Sequence, residues 1–290
     1  MSVLAEFGLP PAPEPLPGPV ADSHTHLGIT RIRSGLAESV SIAEAASVGV
    51  THIVDIGVDV ATSRAAIAAA AAYPGVVAAV ALHPNDAAKT ATQDGRGALS
   101  AQWRELRSLA ETPGVRAIGE TGLDYYRTTD PDGKAAQEES FRAHIEWAKE
   151  LDLTLVIHDR DAHSDVLRVL DDAGAPQRVI MHCFSGDAAF AEQCVSRGFW
   201  LSFPGVVTFR NAGDLRAAAK VTPPDHILVE TDAPFLTPSP QRGKPNAPYL
   251  LPHTVRFLAE LLELGLPEFC DLLLANTFAA YGGPWGTHDG

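Results

Sequence analysis

Short β-branched or apolar runs alternate along the chain with stretches in which apolar positions recur every three to four residues, and the beat holds from Val20 to Tyr281. Runs of the first kind fit buried strands, and stretches of the second fit amphipathic helices. The pattern predicts strands over 20–26, 51–58, 75–83, 115–119, 153–158, 178–182, 199–203 and 227–230. Helices are predicted over 35–48, 61–73, 99–111, 135–151, 162–173, 188–197, 212–220, 252–264 and 267–281. The helix over 135–151 is the clearest, with Phe141, Ile145 and Ala148 on one side. Such alternation points to an α/β chain folded as a parallel TIM (β/α)8 barrel. An open doubly wound sheet is the alternative arrangement of the same beat. Residues 20–290 read as one domain, preceded over 1–19 by a short proline-rich extension in an extended conformation.

Composition narrows the class. The 290 residues are 46% hydrophobic and 20% charged, as in an ordinary globular protein. A net charge of −14 argues against broad wrapping of a nucleic-acid backbone, although metal ions can meet phosphate locally at a site. Cys183, Cys194 and Cys270 show no C-x-x-C spacing, and the start of the chain lacks the pattern of a secretory leader. Both features fit a reduced, cytoplasmic setting. The uncharged stretch 65–82 is broken by Pro74-Gly75, so it reads as a helix followed by a strand, and no membrane association is expected. No strand is followed by G-x-G-x-x-G or a P-loop, which disfavours a nucleotide cofactor.

Candidate chemistry begins at Asp22-Ser-His-Thr-His26. Residues two apart on a strand share a face, so His24 and His26 would point into one space, although the pair alone fits two turn histidines equally well. Glu120, His158, His182 and Asp232 also lie at or just past the carboxyl ends of predicted strands, which share one mouth in a parallel barrel. Four imidazoles and two carboxylates exceed the needs of one tetrahedral ion and suit two ions with a bridging ligand. His83, before Pro84, reads as a loop anchor or a substrate contact. Arg160, Arg242 and Lys244 could meet phosphate or serve as rim charges. Tyr125, Tyr126, Phe184 and Phe203 read as base-stacking or loop-packing residues. His144 is expected on a helix surface, and His52, His163, His226, His253 and His288 as structural or solvated residues.

The segments Asp22-Ser-His-Thr-His-Leu27, Gly119-Glu-Thr-Gly-Leu-Asp-Tyr-Tyr126, Val156-Ile-His-Asp-Arg-Asp-Ala162, Met181-His-Cys-Phe-Ser185 and Leu228-Val-Glu-Thr-Asp-Ala-Pro234 resemble, in order, the signatures of the TatD-like metal-dependent deoxyribonucleases. Leu201-Ser-Phe-Pro-Gly-Val-Val-Thr-Phe209 and Arg242-Gly-Lys-Pro-Asn246 are similar too, and the match runs from about Ala21 to Tyr281. The resemblance implies a barrel of the metallo-dependent hydrolase type with two divalent ions, of Mg, Zn or Mn. His24, His26 and Asp232 would hold one ion, His158 and His182 the other, and Glu120 would bridge them.

The implied activity is phosphodiester hydrolysis, as a 3′–5′ exonuclease on DNA that is single-stranded or engaged at its ends. Asp232 is the candidate proton acceptor, or else only a ligand, and Glu120 is the other candidate catalytic residue. Two departures from the family pattern stand out: Ala81 replaces a glycine, and Asp159 replaces Thr or Ser. The rival readings are an ester or amide hydrolase, such as a D-aminoacyl-tRNA deacylase, and a non-catalytic binding barrel. No protein partner can be read from the chain.

Overall fold

Each strand pairs in parallel with the next, giving the sequential order β1 to β8 expected of the barrel. The computed structural model describes residues 3–286. Its strands are β1 (Val20–Thr25), β2 (Val50–Ile56), β3 (Val76–Val80), β4 (Val115–Asp124), β5 (Thr154–Arg160), β6 (Val179–Met181), β7 (Trp200–Phe203) and β8 (Ile227–Val229). The helices are α1 (Val3–Glu6), α2 (Leu27–Ser34), α3 (Glu38–Ser47), α4 (Val60–Ala72), α5 (Pro84–Gln93), α6 (Arg96–Leu109), α7 (Pro131–Glu150), α8 (His163–Ala173), α9 (Ala188–Val195), α10 (Gly213–Val221), α11 (Leu251–Leu261) and α12 (Leu266–Ala280). No helix among the described residues is long and apolar enough to cross a membrane.

Alternation along the strands sorts their side chains between two cores. Val54, Ile56, Val77, Ala79, Val156, Ile180 and Leu228 pack together with Tyr281 and Trp285, while Ile53, Val76, Leu155, Val179 and Ile227 join the helices. His158, His182 and Glu230 each lie two residues beyond a member of the first set, so the same inward rows carry them to the mouth. The register shifts between Asp22 and Thr25 in β1 and between Ile118 and Thr121 in β4. His24 and Glu120 sit in those irregular stretches, where a local bulge re-aims a side chain.

Side-chain and backbone hydrogen bonds join β8 and the residues just after it to β1. Ser23 Oγ donates to Val229 O at 2.9 Å, Thr231 N donates to Asp22 Oδ1 at 2.9 Å, and Asp232 N donates to His24 O at 3.0 Å. The buried Asp22 carboxylate therefore brings the first and last strands together where their functional residues lie.

Several expectations change. The helix predicted over 35–48 is α3, and an unpredicted helix, α2, precedes it and stops where Gly35 takes φ 76° and donates its N–H to Arg31 O. The whole of α5 was absent from the sequence pattern. β4 continues past 119 to Asp124, and Gly122 permits this: at φ 137°, a Cβ there would lie 2.1 Å from the carbonyl oxygen of His158. His144 is fully buried rather than on a surface, with Nδ1 donating to Ser140 O and Nε2 accepting from Leu82 N.

The extension is not wholly extended, since Val3–Glu6 forms one helical turn. It is also held in place: Leu4, Leu9 and Leu16 are buried, and Tyr249 Oη donates to Pro10 O. Of the remaining histidines, His52 meets Trp285 O, His163 meets Asp159, His226 meets Asp225, and His253 is half-buried. His288 lies outside the described residues.

Candidate metal centre

At the carboxyl ends of the strands a cavity of about 670 Å³ is lined by His26, His83, Glu120, His158, His182 and Asp232, among others, with His24 buried beneath it. Glu120 is the hub. Its Oε2 lies 3.5 Å from His24 Nε2 and 3.7 Å from His26 Nε2, while Oε1 lies 2.6 Å from His158 Nδ1 and 3.0 Å from His182 Nε2. Asp232 Oδ1 stands 3.4 Å from His26 Nε2 and 3.8 Å from His24 Nε2. His24, His26 and Asp232 converge as one group of donors, His24, Glu120 and His182 as a second, and His83, Glu120 and His158 as a third.

Surrounding acceptors decide which ring nitrogens are free to bind. His26 donates from Nδ1 to Ile56 O at 3.0 Å, and His182 from Nδ1 to Glu230 Oε1 at 3.1 Å, leaving both Nε2 atoms facing Glu120. His158 directs Nε2 toward Asp124 Oδ2, 3.4 Å away, and presents Nδ1 to the centre. Neither nitrogen of His24 has a hydrogen-bond partner, although the ring is buried.

An orphaned, buried imidazole among carboxylates is the donor set a divalent ion satisfies. Electrostatics agree. Burial opposes charge on His26, but Asp232 and Glu120 outweigh it and lift the ring to about 9. His158 rises to about 9 against the same opposition, through Asp124 and Glu120. Burial and the adjacent His182 instead hold His24 below its usual value. The pocket favours a concentrated positive charge, so the residues present fit metal ions.

His83 differs from the other rings. Its Nδ1 accepts the N–H of Asn85 at 3.1 Å, capping α5, so the proton of the neutral ring lies on Nε2. That nitrogen stands 3.5 Å from Glu120 Oε1, within the group of donors that His83 forms with Glu120 and His158.

Arg160 lines the cavity, with its guanidinium over the ring of Tyr126. Arg242 does not line it and covers Phe209, while Lys244 reaches Gln241. Phe184 and Phe203 are buried packing residues, and the Tyr125 hydroxyl donates to Asp165. Asp159 lines the cavity, with its carboxylate accepting from Ala162 N and His163 Nδ1. Ala81 is buried and has no positive φ, so this backbone needs no glycine there.

Sequence reasoning assigned no role to Glu230 or Asp124, which orient His182 and His158. The inward parity of Glu230 with Leu228 was the signal available for the former. Cys183 and Asp232 both take left-handed backbone, at φ 45° and 51°, as the chain turns around the site.

Comparison with known proteins gives a consistent picture. The sequence profile described as TatD related DNase matches residues 21–282. The chain is 44% identical to an uncharacterized metal-dependent hydrolase, TatD, of Mycobacterium tuberculosis, over 92% of this chain and 99% of the relative. It is 38% identical to the metal-dependent hydrolase YabD of Bacillus subtilis, over 88% and 96%. Among solved structures, the TatD homologue YjjV of Escherichia coli superposes with a TM-score of 0.81 at 26% identity, covering 91% of this chain and 98% of that one.

Proposed function

We propose a function from the premise that this chain belongs to the TatD family of metal-dependent hydrolases. The reading is a deoxyribonuclease that hydrolyses phosphodiesters by 3′–5′ exonuclease action, on single strands or at strand ends. The observation that carries it is the division of Glu120, one carboxylate oxygen toward His24 and His26 and the other toward His158 and His182. A bridging carboxylate of this kind suits two ions clamped on the attacking and leaving oxygens of a phosphoryl group.

His24, His26, Glu120, His158, His182 and Asp232 would hold divalent ions of Mg, Zn or Mn, which would supply Lewis-acid chemistry to acidify a water and polarise a phosphoryl oxygen. Asp232 takes the proton from the attacking water, its position fixed by the bond from its backbone N–H to His24 O. His83 donates from Nε2 to a non-bridging phosphate oxygen, and Arg160 meets phosphate charge at the rim. The net charge of −14 suits an enzyme that holds a few nucleotides at an end better than one that grips a long duplex.

The test is chelation followed by add-back of each metal, with labelled single-stranded DNA, an aminoacyl-tRNA and a simple ester assayed side by side. Metal-restored shortening of the DNA from its 3′ end is expected, and Asp232→Asn should lower that rate by about 10²–10⁴-fold in a folded protein. Turnover of only the aminoacyl-tRNA or the ester would replace the nuclease reading with a deacylase or esterase. No metal-restored turnover of any substrate would favour a binding barrel.

A further inference from the structure

A second cavity, of about 240 Å³, adjoins the metal centre, with Asn85 and Arg127 lining both. Lys89, Thr92, Thr128 and Asp130 contribute to its walls. Lys89 and Arg127 give it two cations, in a chain where 36 acidic residues stand against 22 Lys plus Arg. Arg64, Arg107, Arg142, Arg168 and Arg197 all end on Glu or Asp. Among the described residues, the exposed Arg127 and Lys89 make no ion pair. Asp130 shares the cavity, but its Oδ1 accepts the Gly133 N–H at 2.6 Å and caps α7.

The wall behind these cations is held by one buried carboxylate. Asp124 Oδ1 accepts the backbone N–H of Arg127 at 2.8 Å, and Oδ2 accepts Asn85 Nδ2 at 2.8 Å while lying 3.4 Å from His158 Nε2. Gln137 Nε2 donates to Thr128 Oγ1 at 2.8 Å, and Thr128 Oγ1 donates to Asn85 Oδ1 at 3.3 Å. The backbone that carries Arg127 is thus fixed relative to the metal centre. Two exposed cations with no carboxylate within ion-pair distance, beside the metal centre, offer a surface to an anion.

We infer that this cavity binds the phosphodiester adjacent to the one cleaved, with Arg127 and Lys89 as its cationic contacts. The preferred substrate is then a polynucleotide strand rather than an isolated nucleotide ester. This inference rests on the nuclease reading above and adds the second point at which the strand is gripped.

The experiment compares kcat/KM on trithymidylate with kcat/KM on thymidine 5′-(4-nitrophenyl phosphate), which offers one phosphodiester and no neighbouring phosphate. It uses the metal-loaded full chain and its Arg127→Gln and Lys89→Gln variants. Each variant should reduce the trinucleotide-to-ester ratio by about tenfold. Each should also flatten the slope of log kcat/KM against log salt for the trinucleotide by about 0.7. A ratio and slope equal to those of the unaltered protein would overturn the proposal, as would equal losses on both substrates. If the unaltered protein cleaves neither substrate, the nuclease reading itself fails, an outcome distinct from failure of the subsite.

Discussion

Glu230 is fully buried at the end of β8, and its carboxylate faces the ring of His182 and the N–H of Cys183, at 3.1 and 2.9 Å. A buried carboxylate with one oxygen unpartnered is costly unless it does something for its neighbours. Here it holds Nδ1 of His182 and so aims Nε2 at Glu120. Glu230→Gln keeps the shape but weakens that hold, and should lower affinity for one ion by about 10–100-fold in a folded protein. Competition against a chromophoric chelator measures this, and unchanged affinity would remove the positioning role. The six proposed ligands were legible in the sequence because each falls at or just past the end of a strand. Glu230 and Asp124 were not, since a group that contacts a ring rather than an ion obeys no ligand spacing. The tautomer of His83 was hidden as well, because it depends on the N–H of Asn85.

At the scale of elements, strands were easier to read than the helices beside the mouth. α5 begins with Pro84 at its first turn, but its cap is an imidazole, which is outside the usual Ser, Thr, Asp and Asn set. α2 begins directly after His26 with no side-chain cap, so nothing in its sequence announces a start. α7 shows the opposite failure. Phe141, His144, Ile145 and Ala148 all lie on its buried face, so the helical period already placed His144 inward, and reading residue type alone sent it to the surface.

Burial holds the ring of His144 down at about 4, so the native state keeps it neutral. The unfolded chain, with a histidine pKa near ~6.5, takes up the proton first as the pH falls. The stability linked to this residue is therefore complete above that value and is lost between about 6.5 and 4, by about 3 kcal/mol in all. His144→Gln can keep both hydrogen bonds without titrating. In urea unfolding of chelated protein, the loss of stability from pH 7.5 to 5 should be smaller in the variant by about 2 kcal/mol. Equal losses would show that His144 is not the titrating group.

The whole molecule uses the barrel to gather charge that no local segment would tolerate. The β/α beat made this architecture readable, but the Asp22–Thr231 seam between β1 and β8 was not, since it joins residues at opposite ends of the chain. The same gathering couples metal, protons and stability. Without a bound ion, the surrounding carboxylates hold His26 and His158 protonated up to about 9 and raise His182 well above its usual value, whereas His24 is already biased toward neutrality. Only a neutral ring ligates, so binding must expel protons from His26, His158 and His182. Affinity should then rise with pH up to about 9, and each unit of acidification below it should cost up to about tenfold per ring. Because an ion that binds only the folded chain stabilises it by RT ln(1 + [L]/Kd), the increase in melting temperature on adding a fixed metal concentration should shrink from pH 8.5 to 6.5. By pH 5 the metal should be released, as elemental analysis after desalting would show. A metal-induced shift independent of pH, or full metal content at pH 5, would contradict ligation by these imidazoles and return the centre to its carboxylates alone.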